Sequence, residues 1–137
     1  MDCLFCKIIA GEIPSYKVYE DEFVYAFLDI NPTSRGHTVV VPKIHFERFT
    51  EMDPEDAGHL FRSVSRVARG VEQILSVPGS NIGINNGKVA GQVVPHVHVH
   101  IIPRREGDNG GSMHSIVNVP GDISDLEELA GMMRESI

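Results

Sequence analysis

Polar and apolar residues alternate strictly along residues 96–101, where three histidines alternate with Val97, Val99 and Ile101. In a β-strand, successive side chains point to opposite faces, so this run predicts a strand with one apolar face and one face of imidazoles. Runs of β-branched and aromatic residues predict four further strands. The five predicted strands are Ser15–Glu20, Phe23–Asp29, His37–Val41, Asn81–Asn86 and Pro95–Pro103.

Apolar residues spaced three and four apart predict one long helix, Pro54–Val77. Asp53 is a suitable N-cap, proline suits the first helical position, and Pro78-Gly79 ends the pattern. The predicted apolar stripe consists of Ala57, Leu60, Phe61, Val64, Ala68, Val71 and Leu75. A short final helix is predicted over Ser124–Glu135, because Ser124 with Glu127 three residues later forms a capping-box pattern.

These elements predict an α+β fold with a five-stranded antiparallel sheet, one long helix and a short C-terminal helix. The connections are short and show no regular βαβ alternation, which favours antiparallel over parallel pairing. We expect a single domain over residues 1–137, with its core in residues 3–105 and a C-terminal loop and helix in residues 106–137.

The composition narrows the classes of partner. With 12 Lys and Arg against 19 Asp and Glu, the net charge is −7, which argues against general binding to nucleic acid or to anionic membranes. The N-terminus lacks the cationic and apolar stretches of a secretory signal, and no run of 18 apolar residues occurs. We therefore expect a cytoplasmic protein.

The only two cysteines, Cys3 and Cys6, are spaced C-x-x-C. In a reducing compartment this spacing is more typical of a metal-binding or redox-active pair than of a structural disulfide.

The histidine row lies beside a turn rich in Asn and Gly, residues 83–91. Such turns can present successive backbone N–H groups to an anion, although the spacing here is not that of a nucleotide-binding P-loop. A neutral imidazole can attack phosphorus and form a covalent intermediate. Two alternatives stay open: His98 and His100 as ligands of a catalytic zinc, and a non-catalytic nucleotide-binding module.

The chain resembles the histidine triad (HIT) hydrolases, whose signature is His-φ-His-φ-His-φ-φ with φ apolar. Residues 96–102 match this signature completely. The resemblance spans about residues 3–105 and includes five further matches, which are Phe27-Leu28-Asp29-Ile30 with Pro32, Gly36-His37-Thr38, Pro42-Lys43, Asn85 and Gly91-Gln92.

The resemblance implies a HIT-like fold and a role for each matched residue. His98 would take the α-phosphoryl group of an AMP-like purine nucleotide, such as an adenosine 5′-phosphoramidate, as a nucleotidyl-histidine. His100 and Gln92 would contact the phosphate and leaving group, and Asn85 with the Gly91–Val93 backbone would complete the anion pocket. Asp29 would bind the ribose hydroxyls and Ile30 the base. The resemblance also implies a homodimer, paired through an edge strand and the long helix, and no organic cofactor.

Two further expectations follow from the resemblance. Zinc-containing bacterial members of the family imply a structural zinc site made of Cys3, Cys6, His45 and His96. The chain departs from the family pattern at Val93, where related proteins often carry a hydroxyl residue that helps the leaving group. This departure keeps dinucleoside polyphosphates open as the alternative substrate class.

Overall fold

The structure is a computed structural model that describes residues 2–137, so Met1, the first residue of the predicted domain, lies outside the described part. The elements are α1 (Leu4–Ile9), β1 (Lys17–Glu20), β2 (Val24–Leu28), β3 (Thr38–Pro42), α2 (Pro54–Leu75), β4 (Gly79–Gly83), β5 (Val99–Arg104) and α3 (Leu126–Ser136). The strands form one sheet in the order β1-β2-β3-β5-β4, and every neighbouring pair is antiparallel. The predicted fold class is therefore confirmed.

Each face of the sheet has its own hydrophobic cluster. Helix α2 covers one face, where Leu60 and Val64 pack with Val40, Val99 and Ile101. The other face packs against α1 in a cluster that consists of Cys3, Phe5, Ile8, Tyr25, Phe27, Val39 and Val41. Because β2 and β3 are covered on both faces, their side chains are buried almost without interruption.

Several predicted boundaries were wrong for identifiable reasons. Helix α2 ends at Leu75 rather than Val77, because Ser76 adopts a left-handed conformation with φ 51°. Strand β5 begins at Val99 rather than Pro95, because the Val97 N–H donates to the carbonyl of Phe46 instead of to a strand. Strand β4 covers Gly79–Gly83 rather than Asn81–Asn86, since its pairing with β5 runs to Arg104.

The two remaining helices also differ from the predictions. Helix α3 begins after Asp125, and no side-chain hydrogen bond caps it, so the predicted capping box of Ser124 and Glu127 does not form. The backbone N–H of Ser124 instead donates to Asp122. Helix α1 was not predicted; the Cys3 sulfur caps it by accepting from the Cys6 N–H.

Asp21 joins the β1–β2 turn to α2. Its carboxylate accepts hydrogen bonds from the backbone N–H groups of Phe23 and Val24 and from the hydroxyls of Tyr19 and Ser63. Burial alone would raise the pKa of Asp21, but these four hydrogen bonds outweigh it and lower the pKa to about 2.

Within residues 2–137, no helix is both long and apolar enough to cross a membrane.

Candidate active site and metal site

The histidine run keeps the alternation that the sequence predicts, although only His100 of the three lies within β5. Val97, Val99 and Ile101 belong to the core beneath α2. The three imidazoles lie on the opposite side, where the ring of Phe5 in α1 is 5.9 Å from the His96 ring and 5.0 Å from the His98 ring. The rings of His98 and His100 are also 5.0 Å apart, measured between centroids.

The position of the proton on His98 follows from its hydrogen bond. Its Nδ1 lies 2.7 Å from the backbone carbonyl of His96, and a carbonyl only accepts, so Nδ1 carries the proton. In the neutral ring, Nε2 therefore holds a lone pair. Within residues 2–137 this Nε2 has no hydrogen-bond partner. Every side-chain nitrogen of a non-exposed residue that is shielded from solvent does have a partner in this part of the chain. The Nε2 of His98 is thus accessible to solvent, although the residue is only 7% exposed.

His100 has the opposite arrangement because of His37. The Nδ1 of His37 accepts from the backbone N–H of Thr33 at 3.0 Å, so its Nε2 carries the proton and donates to His100 Nδ1 at 2.9 Å. His100 then carries its own proton on Nε2. The site thus places an imidazole N–H donor beside the imidazole lone pair of His98.

Burial keeps these rings neutral near pH 7. It lowers the pKa of His100 to about 4, and the nearby His98 and His37 act in the same direction. Burial also lowers the pKa of His98, although its hydrogen bond to the His96 carbonyl and the charge of Asp29 oppose the shift. The pKa of His37 is lowered by burial as well, with Asp29 again opposing.

Asp29 lies beside the same cluster of histidines. One carboxylate oxygen accepts from the Asn31 N–H at 2.8 Å, and the other lies 3.7 Å from the Nε2 of His37. The next residue, Ile30, is 74% exposed. This end of β2 therefore offers a carboxylate and an exposed apolar side chain beside the histidines.

The loop from Asn85 to Gly91 lies next to the run. Gly83 pairs with His100 at the end of the β4–β5 ladder, and the loop follows two residues after Gly83. The side chain of Asn85 lies against Gly91, whose φ of 100° is one that side-chain-bearing residues rarely adopt. Gly87 also has a positive φ, and the guanidinium of Arg48 packs against it.

Gln92 is fully engaged with backbone groups. Its Oε1 accepts from the Gly87 N–H at 2.8 Å, and its Nε2 donates to the carbonyls of Glu47 at 2.6 Å and Val94 at 3.0 Å. Its neighbour Val93 is 88% exposed. The structure therefore uses the amide of Gln92 to hold the 87–94 loop together.

Cys3, Cys6, His45 and His96 meet in a second cluster. Their four ligand atoms lie within 4.8 Å of one another, so they could hold a metal ion. The Nε2 of His96 donates to the carbonyl of Pro42 at 2.9 Å, which leaves an Nδ1 lone pair facing the cluster. That Nδ1 lies 3.4 Å from Cys3 Sγ, 3.6 Å from Cys6 Sγ and 3.1 Å from His45 Nδ1.

Sequence reasoning assigned no role to two residues of the site. His37 sets the proton position on His100, and the only sequence signal was its place in the matched Gly36-His37-Thr38 segment. Phe5 packs against His98 from the unpredicted helix α1. The sequence carries only the spacing of Phe5 and Ile8 as a signal for it, and two apolar positions in a helix of six residues do not establish a helical period.

Comparison with known proteins agrees with this architecture. The model of the HIT domain matches residues 10–107, and the chain belongs to the HIT domain family. The protein hit of Bacillus subtilis is 46% identical over 129 residues, which cover 91% of this chain and 89% of that protein. An adenosine 5′-monophosphoramidase of Saccharomyces cerevisiae is 37% identical over 133 residues, which cover 97% of this chain and 79% of the relative.

Solved structures show the same fold. A member of the HIT family from Bacillus subtilis superposes with a TM-score of 0.89 at 41% identity, covering 100% of this chain and 98% of that one. A zinc-bound histidine triad family protein from Mycobacterium smegmatis superposes with a TM-score of 0.75 at 35% identity, covering 100% of this chain and 99% of that one.

Proposed function

We propose that this protein is a hydrolase or transferase that acts on the α-phosphate of small purine nucleotide conjugates, of the adenosine 5′-phosphoramidate type. The observation that carries the proposal is the solvent-accessible Nε2 lone pair of His98 beside the Nε2–H donor of His100. Membership of the HIT domain family and the activity named for the yeast relative support the same chemistry.

In the proposed reaction, the Nε2 of His98 attacks the α-phosphorus and forms an N–P bond. The bond from phosphorus to the leaving group breaks, and an amine leaving group takes up a proton from solvent. Water then attacks the phosphorus of the nucleotidyl-histidine and loses a proton to solvent. The N–P bond breaks, which releases the nucleoside monophosphate and restores the lone pair of His98. The N–H of His100 donates to a phosphoryl oxygen as negative charge develops there.

The substrate's other groups have matching partners. The carboxylate of Asp29 accepts from the ribose hydroxyls, and the exposed side chain of Ile30 lies against the base. Asn85 and the backbone of Gly91–Val93 bind the phosphate. Because the amide of Gln92 is already bonded to three backbone groups, its proposed role is to hold this loop in shape.

We further propose that the Cys3, Cys6, His45 and His96 cluster binds a structural zinc ion. A tetrahedral zinc ion with usual bond lengths requires N···N edges of about 3.3 Å and N···S edges of about 3.6 Å. The observed N···N distance is 3.1 Å and the N···S distances are 3.4–3.6 Å. Burial and the neighbouring Cys3 raise the pKa of Cys6, and a bound cation would stabilise the two thiolates together. With four protein ligands, the ion would tie α1 to the histidine run.

A substrate panel run on His98→Ala tests the catalytic proposal. With adenosine 5′-phosphoramidate, the variant should lose about 10⁴-fold or more in turnover, since the nucleophile is gone. The control is His114→Ala, an exposed histidine in the C-terminal region, which should turn over like the unmodified chain. An active His98→Ala variant would contradict the proposal.

Metal removal separates this chemistry from the alternative in which His98 and His100 hold a catalytic zinc. A chelator should lower the thermal midpoint by removing the support of α1, while molecules that are still folded continue to turn over. His98→Ala should keep its full metal content. Immediate loss of turnover on chelation, together with metal loss in His98→Ala, would favour the metalloenzyme.

The panel also distinguishes the remaining alternatives. Val93 offers no hydroxyl to a leaving group, so faster cleavage of dinucleoside polyphosphates than of phosphoramidates would assign the alternative substrate class. Saturable AMP binding without hydrolysis of any member of the panel would instead identify a nucleotide-binding module.

A further inference from the structure

The Cys3 and Cys6 side chains lie close enough to bond to each other. Cys3 is the N-cap of α1, and its Sγ accepts from the backbone N–H of Cys6 at 3.4 Å. Both thiols are free, and their sulfur atoms lie within 4.8 Å of each other. In helical geometry the Cα atoms of residues three apart are about 5 Å apart, which is within the range of about 4–7 Å that disulfides span. A disulfide here therefore requires two side chains to rotate but does not require α1 to unwind.

The two sulfurs differ in their access to solvent. Cys3 is only 3% exposed and belongs to the hydrophobic cluster beneath α1, whereas Cys6 is partly exposed at the edge of that cluster. A small oxidant can therefore reach Cys6 directly, and Cys3 lies behind it. An accessible thiol with a second thiol beside it is the usual arrangement of a redox-sensitive pair, because the second thiol traps the first oxidation product as a disulfide.

The same two sulfurs are the only anionic ligands that the proposed metal site offers. Its other two ligands, His45 and His96, are imidazoles, and the chain has no further cysteine that could replace either sulfur. Zinc binds the thiolate form of cysteine, and a disulfide sulfur carries no charge. The metal-bound dithiolate and the disulfide therefore exclude each other.

We propose that Cys3 and Cys6 form a reversible oxidation site, at which hydrogen peroxide converts the metal-binding dithiolate to a disulfide and releases the metal ion. The Cys6 sulfur attacks one peroxide oxygen, so an S–O bond forms, the O–O bond breaks, and the departing hydroxide takes a proton from solvent. The Cys3 sulfur then attacks the Cys6 sulfur, so the S–S bond forms, the S–O bond breaks, and a second hydroxide is protonated to water.

This reaction is balanced by the two thiolates and the peroxide alone. The two sulfurs together lose two electrons, and the peroxide gains them. A dithiol reductant reverses the change by thiol–disulfide exchange, after which the site can bind zinc again. The inference rests on the metal site proposed above and is independent of the chemistry proposed for His98.

Oxidation would remove the connection between α1 and the histidine run. In the disulfide form the two cysteines stay joined to each other, but no metal ion joins them to His45 and His96. Both ends of this connection contact His98, since the His96 carbonyl accepts from its Nδ1 and the Phe5 ring of α1 lies 5.0 Å from its ring. The redox state of the cysteine pair would thus control the support of His98 without altering that side chain.

Peroxide treatment of the full-length, zinc-loaded chain tests the proposal. A chromogenic chelator measures the released zinc, and mass spectrometry after blocking of free thiols maps the two cysteines. We expect loss of the bound zinc, a disulfide between Cys3 and Cys6, and a thermal midpoint lowered to that of the chelator-treated chain. A dithiol reductant with added zinc should reverse all of these changes. Zinc retained with both thiols free, or Cys6 oxidised to a sulfinic acid without a disulfide, would overturn the proposal.

The variant Cys6→His is the matched control. It replaces one sulfur by an imidazole that zinc also accepts, so it removes the disulfide and keeps four ligands. It should retain its zinc under the same treatment, and zinc release equal to that of the unmodified chain would contradict the role of the sulfur pair. Reversal provides a measurement that needs no variant. A dithiol reduces a disulfide but not a sulfinic acid or a methionine sulfoxide, so failure of zinc to rebind after reduction would also overturn the proposal.

The zinc content before treatment separates this inference from the proposal on which it rests. An untreated chain that binds no zinc would overturn the metal site and the oxidation site together. A zinc-loaded chain that peroxide leaves unchanged would overturn the oxidation site alone.

Discussion

Proton positions on three imidazoles set the chemistry of the site at the scale of single residues. The carbonyl of His96 fixes the proton of His98 on Nδ1, and His37 fixes that of His100 on Nε2. Neither bond depends on a bound ligand. The two rings therefore offer complementary groups, a lone pair on one and a donor on the other, to the reaction proposed above.

Replacing His37 tests whether the fixed proton on the Nε2 of His100 matters for turnover. In His37→Ala, the Nδ1 of His100 loses its donor, so the ring can take either tautomer and the Nε2–H is no longer fixed. We expect kcat to fall about tenfold or more, with a smaller change in KM. His37→Gln keeps a side-chain N–H donor and should recover part of the loss. Steady-state kinetics measures both, and a His37→Ala variant with unchanged kcat would show that the proton on His100 does not matter.

At the scale of secondary-structure elements, the sequence predicted the regular patterns and missed those that depend on tertiary contacts. The stripe of α2 and the alternation of residues 96–101 were visible because burial imposes a period on the chain. The early end of α2 depends on the left-handed backbone of Ser76, and the late start of β5 depends on a long-range hydrogen bond from the Val97 N–H to the Phe46 carbonyl. Neither leaves such a period in the sequence. Helix α1 was missed because its six residues are too short for a periodic signal.

In the candidate site, too, the sequence predicted the periodic pattern and missed the tertiary contacts. The sequence placed His98 and His100 together because they share a face of one run. It could not reveal that His37, 63 positions away along the chain, bonds to His100. The resemblance assigned Gln92 to the phosphate and leaving group, and nothing in the sequence indicated that its amide binds three backbone groups.

The hydrogen bonds of Asp21, which join the β1–β2 turn to α2, allow a test of stability at the scale of these elements. Asp21→Asn replaces one acceptor oxygen with a donor, so at least two of the four hydrogen bonds at Asp21 lose their acceptor. The free energy of unfolding should fall by about 1–3 kcal/mol, and Ser63→Ala should cost about 1 kcal/mol. Urea unfolding near pH 7 measures both. Glu22→Gln, at an exposed neighbour, is the control, and an Asp21→Asn variant as stable as this control would contradict the assignment.

For the whole molecule, burial of neutral histidines makes stability depend on pH. Burial lowers the pKa of both His37 and His100, that of His100 to about 4, from an ordinary value of 6.5. As the pH falls from 6.5 towards 4, the unfolded chain binds protons that the folded chain does not. The free energy of unfolding should therefore decrease through this window, and these two groups should have no effect on it above the window.

Urea midpoints measured from pH 8 to pH 4 check this dependence. His100→Gln removes one of the groups and should show a shallower decline than the unmodified chain. Acid also protonates metal ligands, but this contribution is the same in both proteins and cancels in the comparison. His114→Gln, at an exposed position, is the control and should decline like the unmodified chain. Equal slopes for His100→Gln and the unmodified chain would contradict the burial of a neutral imidazole.

The covalent intermediate on His98 is the most direct test of the proposed chemistry. The full-length protein is mixed with adenosine 5′-phosphoramidate, quenched in base within the first turnover to preserve the N–P bond, and digested for mass spectrometry. We predict an added AMP moiety on the peptide that contains residues 96–102, with the modification at His98. Continued turnover without an adduct on any residue, or an adduct on a residue other than His98, would contradict the role assigned to this imidazole.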